Sequence, residues 1–256
     1  MLIDTHVHLD AAEFDDDRAA VIAAARAAGV DGFVVPAIGA DNFDAVAALA
    51  AARSDTACAL GIHPLYVMQA RAEDLDVLDQ RLGEGRALAV GEIGLDHFVH
   101  EADPARQLEF FVAQLGLARK HGLPVILHVR RAIDPILKQL RRIAVPGGIA
   151  HAFNGSRQQA EMFIALGFKL GFGGSMTFAG STRIRALAVS LPLEAIVLET
   201  DAPDIPPAWG QGQRNTPANL RAYAELLAGL RGLSVQEVVA ATGRNASAAL
   251  GGWKPC

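Results

Sequence analysis

The chain has 256 residues, of which 51% are hydrophobic and 20% are charged. This length fits one large domain, and the high apolar fraction excludes a disordered or low-complexity protein. The 23 lysines and arginines against 28 aspartates and glutamates give a net charge of −5, which excludes a broad basic surface for gripping long nucleic acid. We therefore expect a single domain over residues 1–256, in which any contact with nucleic acid is local.

The cysteines and the first residues bear on the compartment of the protein. Cys58 lies in an apolar run and Cys256 is the last residue, a separation that favours neither a disulfide framework nor a thiolate metal site. The opening sequence MLIDTHVHLD carries Asp4 and His6 where a signal peptide needs an apolar segment. No stretch approaches the ~18 uncharged apolar residues of a membrane span. We expect a cytoplasmic protein that does not enter a membrane.

Eight short runs rich in Val, Ile, Leu and Phe predict β-strands. In chain order they cover residues 2–8, 32–37, 57–63, 87–95, 123–129, 147–153, 168–174 and 195–201. Helical patterns lie between them, so the strands are expected to run parallel beneath a layer of helices. About 250 residues is the usual size of a closed eight-stranded α/β barrel. We therefore predict an α/β fold, a TIM-type (β/α)8 barrel.

A doubly wound open sheet is the alternative fold. Such a sheet normally carries a glycine-rich phosphate turn after its first strand, and this chain has HVHLDAAEF there. The later glycine-rich segment at 171–174 has no following P-loop lysine, and we expect it to make room beside the site rather than to cradle a nucleotide.

Two helices are marked by their ends. Asp103 followed by Pro104 predicts the N-cap and first turn of a helix that ends at Gly122. Ser234 and Glu237 have the spacing of a capping box, which predicts a helix in the tail after the eighth strand.

Ionisable residues lie close to the carboxyl ends of six predicted strands. In an eight-stranded α/β barrel this end of the strands carries the active site. The first run contains Asp4, His6 and His8, and the two-residue period of a strand places these side chains on one face. The other strand ends supply His63, Glu92, His128, His151 and the segment Glu199-Thr200-Asp201.

A metal centre is the chemistry that this set favours. An unpaired buried charge costs several kcal/mol, comparable with the net stability of a domain, and a metal ion would neutralise the cluster. Imidazole and carboxylate ligands without a thiolate suit Zn, Mn, Fe or Mg, and Glu92 can bridge two ions. For the His6 and His8 pair taken alone, two histidines satisfied by local hydrogen bonds are the alternative.

Six motifs in order along the chain carry a specific resemblance to a known family. They are DTHVHLD (4–10), GIHP (61–64), GEIGLD (91–96), LPVILHVR (123–130), HAFNGS (151–156) and LETDAP (198–203). Together they resemble the TatD-like metal-dependent deoxyribonucleases of the amidohydrolase superfamily. The resemblance spans nearly the whole chain.

The resemblance implies two divalent metal ions per chain, of Mg, Mn or Zn. It implies that one ion is held by His6, His8, Glu92 and Asp201, and the second by Glu92, His128 and His151.

It also implies the roles of the residues around the ions. Glu92 and Asp201 are the implied catalytic residues, Glu92 as the bridge and Asp201 by orienting or deprotonating the attacking water. His63 and Arg130 are the implied contacts to the phosphate of the substrate.

Two segments depart from the family pattern near the expected substrate. The family commonly has Ser and then Arg-Asp after the histidine of strand five, whereas this chain has Val129, Arg130 and Arg131, so a base replaces a carboxylate. The aromatic pair that commonly follows GEIGLD is His97-Phe98 here. For His97, a solvated loop residue is the alternative to a substrate contact.

Further residues have open or structural roles. Asp204 stands where many relatives have an aromatic residue, so a different leaving group or a smaller substrate is an alternative. Arg214 and Asn215 are expected either to shape the site or to form an ordinary loop before a helix. His121 is expected to interact with helix-terminal carbonyls, and His100, in a polar loop, to have no catalytic role.

The leading functional hypothesis is a metal-dependent 3′–5′ exonuclease on DNA ends or single strands, working as a monomer. An acidic protein fits this hypothesis because metal ions, rather than many basic residues, hold the scissile phosphate. One alternative is an amidohydrolase-type hydrolase of a small amide, ester, phosphoester or aminoacyl-tRNA, although many binuclear members use a modified lysine where this chain has Glu92. A non-catalytic nucleic-acid-binding barrel is the third hypothesis, and the presence of all six implied ligands argues against it.

Overall fold

Eight parallel strands form the centre of the computed structural model, which describes residues 1–99 and 103–255. The strands are β1 (Ile3–Asp4), β2 (Gly32–Pro36), β3 (Thr56–Leu60), β4 (Ala89–Asp96), β5 (Val125–Arg130), β6 (Gly148–Ala150), β7 (Phe168–Phe172) and β8 (Ile196–Leu198). Each strand pairs with its neighbour in the chain, in the order β1 to β8. The eight predicted strands are therefore confirmed. His100 and Cys256 lie outside the described residues.

Backbone hydrogen bonds between the first and last strand segments close the ring. The Thr5 N–H donates to the Leu198 carbonyl at 3.1 Å, and the Asp201 N–H donates to the His6 carbonyl at 2.8 Å. The TIM-type barrel is confirmed, and the open doubly wound sheet is wrong.

Helices surround the strands in the predicted alternation. They are α1 (Arg18–Ala27), α2 (Phe43–Ala51), α3 (Glu73–Gly83), α4 (Pro104–His121), α5 (Ile133–Arg142), α6 (Arg157–Ala165), α7 (Thr182–Ser190), α8 (Leu220–Arg231) and α9 (Val235–Ala249). Within the described ranges, no helix combines the length and the apolar character that a membrane crossing requires.

Both predicted helix boundaries are confirmed. The Asp103 carboxylate accepts a hydrogen bond from the Ala105 N–H at 2.8 Å, and α4 ends at Gly122, whose φ of 65° is the left-handed conformation that glycine adopts readily. At α9 the Ser234 hydroxyl accepts from the Glu237 N–H at 3.2 Å while the Glu237 carboxylate accepts from the Ser234 N–H at 2.8 Å. This reciprocal pair is the predicted capping box.

An apolar cluster lies inside the barrel near the amino ends of the strands. We call it the inner apolar layer, and its strand residues are Ile3, Val34, Ala59, Ala89, Ile126, Ile149 and Val197. Ala246, Ala249 and Leu250, from the end of α9, are buried against it, and Trp253 packs on it as well. The layer fills one end of the barrel, so a site inside the barrel has to lie at the other end.

Candidate metal centre

The inside of the barrel becomes polar one pleat beyond the inner apolar layer. On β5, Ile126 belongs to the layer and His128 follows it on the same face, because side chains two residues apart in a strand share a face. His151, the residue directly after β6, follows Ile149 of that strand by the same two positions. We call the resulting group the polar cluster, and it comprises His6, His8, Glu92, His128, His151 and Asp201.

The two carboxylate oxygens of Glu92 face different histidines. Glu92 Oε2 lies 3.1 Å from His6 Nε2 and 3.8 Å from His8 Nε2. Glu92 Oε1 lies 2.9 Å from His128 Nδ1 and 3.8 Å from His151 Nε2. A carboxylate placed between two sets of imidazoles in this way has the arrangement of a bridge between two cations.

Asp201 completes both sides of the polar cluster. Its Oδ1 lies 3.5 Å from His6 Nε2 and 3.6 Å from His8 Nε2, and its Oδ2 lies 3.8 Å from His151 Nε2. Within the described ranges, three groups of ligand atoms lie close enough together to share an ion: His6, Glu92 and His151; His6, His8 and Asp201; and His63, Glu92 and His128. All six implied ligands therefore meet at one end of the barrel.

Burial and charge shift the pKa values of the polar cluster in opposite directions. Burial and the nearby His151 lower the pKa of His6, whose ring stacks on that of His151 with centroids 3.8 Å apart. Burial also opposes protonation of His151, but Asp201, Glu199 and Glu92 outweigh it and raise its pKa to about 10. Although burial disfavours the charged form of Glu92, His6 and His63 hold its pKa well below the ordinary value. The carboxylate of Glu92 is therefore ionised at neutral pH.

The unpartnered atoms in this cluster suit a metal ion. Both ring nitrogens of His6 are buried and make no hydrogen bond, although Nε2 lies beside two carboxylates. An imidazole nitrogen among carboxylate oxygens, without a thiolate, is a donor set for Zn, Mn, Fe or Mg. The residues present therefore fit a divalent cation.

Two further carboxylates, Asp96 and Glu199, orient His128 and His151 by contacting the ring nitrogen that faces away from Glu92. Asp96 Oδ2 lies 3.0 Å from His128 Nε2, on the opposite side of the ring from Glu92. Glu199 Oε1 lies 3.2 Å from His151 Nδ1 and accepts a hydrogen bond from the Ala152 N–H. Ligating histidines commonly hold their second nitrogen against a carboxylate in this way. Sequence reasoning missed the role of Asp96, although it lies in the GEIGLD motif, and placed Glu199 among the ligand donors.

Gly171 provides the space that Glu199 occupies. A Cβ at position 171 would lie 2.2 Å from Glu199 Oε2, which is far inside van der Waals contact. The prediction that glycines at 171–174 make room beside the site is confirmed.

The protonation of His63 follows from its backbone contact. The Leu65 N–H donates to His63 Nδ1 at 3.1 Å, which places the proton of the neutral ring on Nε2. Burial lowers the pKa of His63 to about 3, so the ring is neutral at pH 7. Its Nε2–H faces His128 Nδ1 at 3.0 Å. His63 thus presents a hydrogen-bond donor beside the polar cluster.

The polar cluster opens into a cleft with a volume of about 1020 Å³. Arg130 lines this cleft with its side chain half exposed, and its Nη1 lies 3.9 Å from Asp96 Oδ2. Asp204 also lines it, and partial burial together with Asp201 raises the pKa of Asp204. Both residues are therefore placed where a substrate would lie.

Strained backbone is concentrated in the same cleft. The non-glycine residues with positive φ in the described ranges are Arg131 (53°), Ala152 (45°), Asp201 (57°) and Ile205 (45°), and all four line the cleft. Such conformations cost about 1–3 kcal/mol each and are retained where the surrounding structure imposes them, often at functional sites.

The structure gives different positions to Asn215 and Arg214, whose roles the sequence left open. Asn215 is buried, and its amide donates to the carbonyls of Thr200 at 2.8 Å and Asp204 at 2.9 Å, so it shapes the loop after β8. Arg214 turns away, pairs with Asp17 at 2.7 Å and does not line the cleft. His97 is half-buried and is also absent from the lining.

Two expectations about individual side chains are wrong. Asp4 does not share the face of the histidines, because β1 ends at Asp4 and its carboxylate accepts hydrogen bonds from the N–H and hydroxyl of Thr200. His121 does not bind helix-terminal carbonyls through its ring, because its Nε2 lies 2.7 Å from Asp79 Oδ1 of α3.

Comparisons with known proteins agree with this geometry. A family model described as TatD related DNase matches residues 3–251. The uncharacterized metal-dependent hydrolase YjjV of Escherichia coli K12 is 40% identical over 242 residues, covering 93% of each chain. The crystal structure of that TatD homologue superposes with a TM-score of 0.94 at 39% identity and covers 98% of each chain. A protein of Erwinia billingiae named 3′-5′ ssDNA/RNA exonuclease TatD is 31% identical over 239 residues, covering 90% of this chain and 92% of that protein.

The match of the family model to nearly the whole chain agrees with the barrel fold. The chain belongs to the TatD family of metal-dependent hydrolases.

Proposed function

We propose that this protein is a metal-dependent phosphodiesterase that degrades single-stranded DNA and DNA ends from the 3′ side. The observation that carries the proposal is Glu92, whose two oxygens face separate histidine sets at the base of an open cleft. A similar relative from Erwinia billingiae is named as a 3′–5′ exonuclease of single-stranded DNA and RNA, which supports this class of substrate.

Two divalent ions, of Mg, Mn or Zn, are the proposed cofactors. Their proposed ligands are His6, His8, Glu92 and Asp201 for one ion, and Glu92, His128 and His151 for the other. Bound there, the ions would lower the pKa of a water molecule and neutralise charge on the phosphate oxygens.

Asp201 is the residue that we assign to the attacking water. Its left-handed backbone is held by the hydrogen bond from its N–H to the His6 carbonyl, so the carboxylate is fixed at the mouth of the polar cluster. From there it orients the water and accepts its proton. The Asp201 side chain is 14% exposed and lines the cleft, so a water molecule can come within hydrogen-bond reach of its carboxylate.

His63 and Arg130 are the proposed contacts to the scissile phosphate. The neutral His63 ring offers its Nε2–H to a phosphate oxygen, which needs a donor and not a second acceptor. The half-exposed Arg130 guanidinium supplies a positive charge beside it.

The shape and charge of the molecule favour a strand end over duplex bound along its length. A net charge of −5 leaves no broad basic surface, whereas a cleft of about 1020 Å³ admits a few nucleotides of a frayed or single strand. Because all six proposed ligands come from one chain, we propose that the monomer is active. A buried free thiol at Cys58 is compatible with the reducing cytoplasm.

Asp204 favours a second candidate, a hydrolase of a small ester, amide, phosphoester or aminoacyl-tRNA. Its carboxylate lines the cleft and repels an anionic substrate such as DNA. The same metal ligands serve both candidates, so the choice between them depends on the substrate alone.

Digestion of end-labelled oligonucleotides tests the proposal. Metal-stripped protein is supplied with Mg²⁺, Mn²⁺ or Zn²⁺ separately and incubated with 3′-labelled and 5′-labelled single strands, beside an Asp201→Asn control. We expect metal-dependent shortening from the 3′ end and its loss in the control. DNA that stays intact with every ion would exclude the nuclease and favour the small-substrate hydrolase.

A further inference from the structure

Arg131 occupies an unusual position at the edge of the cleft. It directly follows β5, is exposed, and holds a φ of 53° that side-chain-bearing residues seldom adopt. Its guanidinium carbon lies 4.6 Å from the centroid of the Phe98 ring, and that of Arg130 lies 3.9 Å from the same centroid. The ring itself remains 41% exposed. Cation–π contact with Phe98 therefore restricts where the Arg131 side chain can point.

Arg183 stands elsewhere on the cleft wall, at the start of α7. Its Nε and Nη2 donate to Asn154 Oδ1 at 3.2 and 2.7 Å. These two hydrogen bonds use a neutral acceptor, so they orient the guanidinium and leave its full charge and three of its five N–H groups available.

These two arginines differ from most others in the protein because no described carboxylate pairs with them. Arg130, by contrast, lies 3.9 Å from Asp96, and Arg214 is bonded to Asp17. In a chain with a net charge of −5, two oriented guanidiniums without an acidic partner in the described ranges face one cleft. Such groups are suited to bind an anion that enters the cleft.

We propose that Arg131 and Arg183 bind the phosphates that flank the scissile phosphate on a nucleotide strand. This inference rests on the proposed nuclease function. Arg131, held by Phe98, and Arg183, held by Asn154, form two flanking phosphate subsites, one on the β5 side of the cleft and one on the β7 side. They are substrate-binding residues and do not contact the reacting atoms.

The consequence is a requirement for more than one phosphate. Guanidinium groups bind phosphate through paired charge-assisted hydrogen bonds, which are about twice as strong as neutral ones. A substrate with a single phosphodiester would occupy the metal site and leave both arginines unpaired. A short single strand would engage all three positions, so the flanking subsites select strands over small diesters.

Kinetics on two substrates test the proposal. The substrates are bis(p-nitrophenyl) phosphate, with one phosphate, and a ten-nucleotide oligo(dT). The variants are Arg131→Asn, chosen because asparagine tolerates positive φ, and Arg183→Gln, with Arg119→Gln as the matched control on the exposed last turn of α4. Each cleft variant is expected to lower kcat/KM on oligo(dT) about tenfold or more and to leave the small diester unchanged. The control is expected to change neither.

The salt dependence of binding is a second readout, measured in an Asp201→Asn background with fluorescent oligo(dT). Loss of one phosphate contact should reduce the slope of log K against log salt by about 0.7. Arg131→Lys keeps the charge and should retain the slope while losing part of the affinity.

The outcomes separate the two proposals. If wild-type protein cleaves oligo(dT) and the arginine variants lose equal activity on both substrates, or keep the wild-type salt slope, the flanking subsites are wrong and the nuclease stands. If wild-type protein cleaves only the small diester, the nuclease is wrong, and an unchanged salt slope in both arginine variants would then overturn the subsites independently.

Discussion

The two ends of the barrel interior are built from the same strands and serve opposite purposes. Ile126 and His128 lie one pleat apart on β5, and His151, directly after β6, lies two residues beyond Ile149 of that strand. The first of each pair belongs to the inner apolar layer and the second to the polar cluster. A shift of two residues along a strand therefore separates side chains that stabilise the fold from side chains that can hold a metal.

The polar end carries energetic costs that the apolar end does not. Buried atoms without a hydrogen bond include both ring nitrogens of His6 and Glu199 Oε2, and the non-glycine residues with positive φ in the described ranges also lie at this end. The inner apolar layer, covered by α9, provides packing that offsets these costs. Activity and stability should therefore respond to mutation at different ends of the barrel interior.

Replacing Glu92 with Gln should have the largest effect on activity. Gln keeps the size of the side chain but removes the charge that faces both histidine sets, so turnover should fall about 10²–10³-fold or more. Steady-state kinetics with metal analysis of the purified variant measures the loss, and circular dichroism should show an intact fold. Turnover near the wild-type rate would contradict the assignment of Glu92 as the bridge.

Ile126→Ala should lower the stability of the fold and leave activity almost unchanged. Ile126 is fully buried in the inner apolar layer, and truncating such a side chain to Ala typically costs about 2–5 kcal/mol. Urea unfolding should show this loss of stability, while kcat of the folded protein at 25 °C stays within about twofold of wild type. A stability cost below 1 kcal/mol, or a large loss of kcat, would mean that the two ends are not separable.

Asp96→Asn tests whether the carboxylate beside His128 strengthens metal binding. A second aspartate–histidine contact, on the outer helices, provides the matched control. Asp96 lies 3.0 Å from His128, and Asp79 lies 2.7 Å from His121 on the outer helices. Loss of a carboxylate behind a ligating histidine typically weakens metal binding about 10–100-fold. Calorimetric titration with Mn²⁺ should show this loss for Asp96→Asn and none for Asp79→Asn. Equal affinities in the two variants would exclude a supporting role for Asp96.

The smallest effect is expected at Cys58, which is buried in the apolar core outside the inner apolar layer. Burial raises the pKa of its thiol to about 11, so the group stays protonated at pH 8 and resists thiol reagents in the folded protein. The pKa of the Cys58 thiol is higher in the folded than in the unfolded protein. The contribution of the buried, protonated thiol to stability is therefore complete below about pH 8.5 and declines as pH rises toward 11. In a Cys256→Ser background, we expect slow labelling that accelerates on unfolding. Rapid labelling of native protein would contradict the burial of Cys58.

The fold was predictable because its signals are local. Strand runs, the cap at Asp103 and the capping box at Ser234 each depend on neighbours a few residues away in sequence. The meeting of six ionisable residues also followed, because parallel strands bring their carboxyl ends together.

Side-chain contacts between residues far apart in the sequence were not predictable. The bond of Asp4 to Thr200 and the placement of Asp96 behind His128 join residues far apart in the chain, and no periodic pattern encodes them. The pairing of His121 with Asp79 escaped for the same reason. That no carboxylate of residues 1–99 and 103–255 pairs with Arg131 became visible only once the side chains around it were in place.

We propose that the polar cluster binds divalent ions and that hydrolysis of DNA depends on these ions. Titration of metal-stripped protein with Mn²⁺, with bound ion and oligonucleotide hydrolysis measured on the same samples, tests it most directly. We predict that hydrolysis rises as two equivalents of ion bind and that Glu92→Gln loses both signals. Hydrolysis that is equal with and without bound ion, or tight binding of two ions without any hydrolysis of DNA, would contradict the claim.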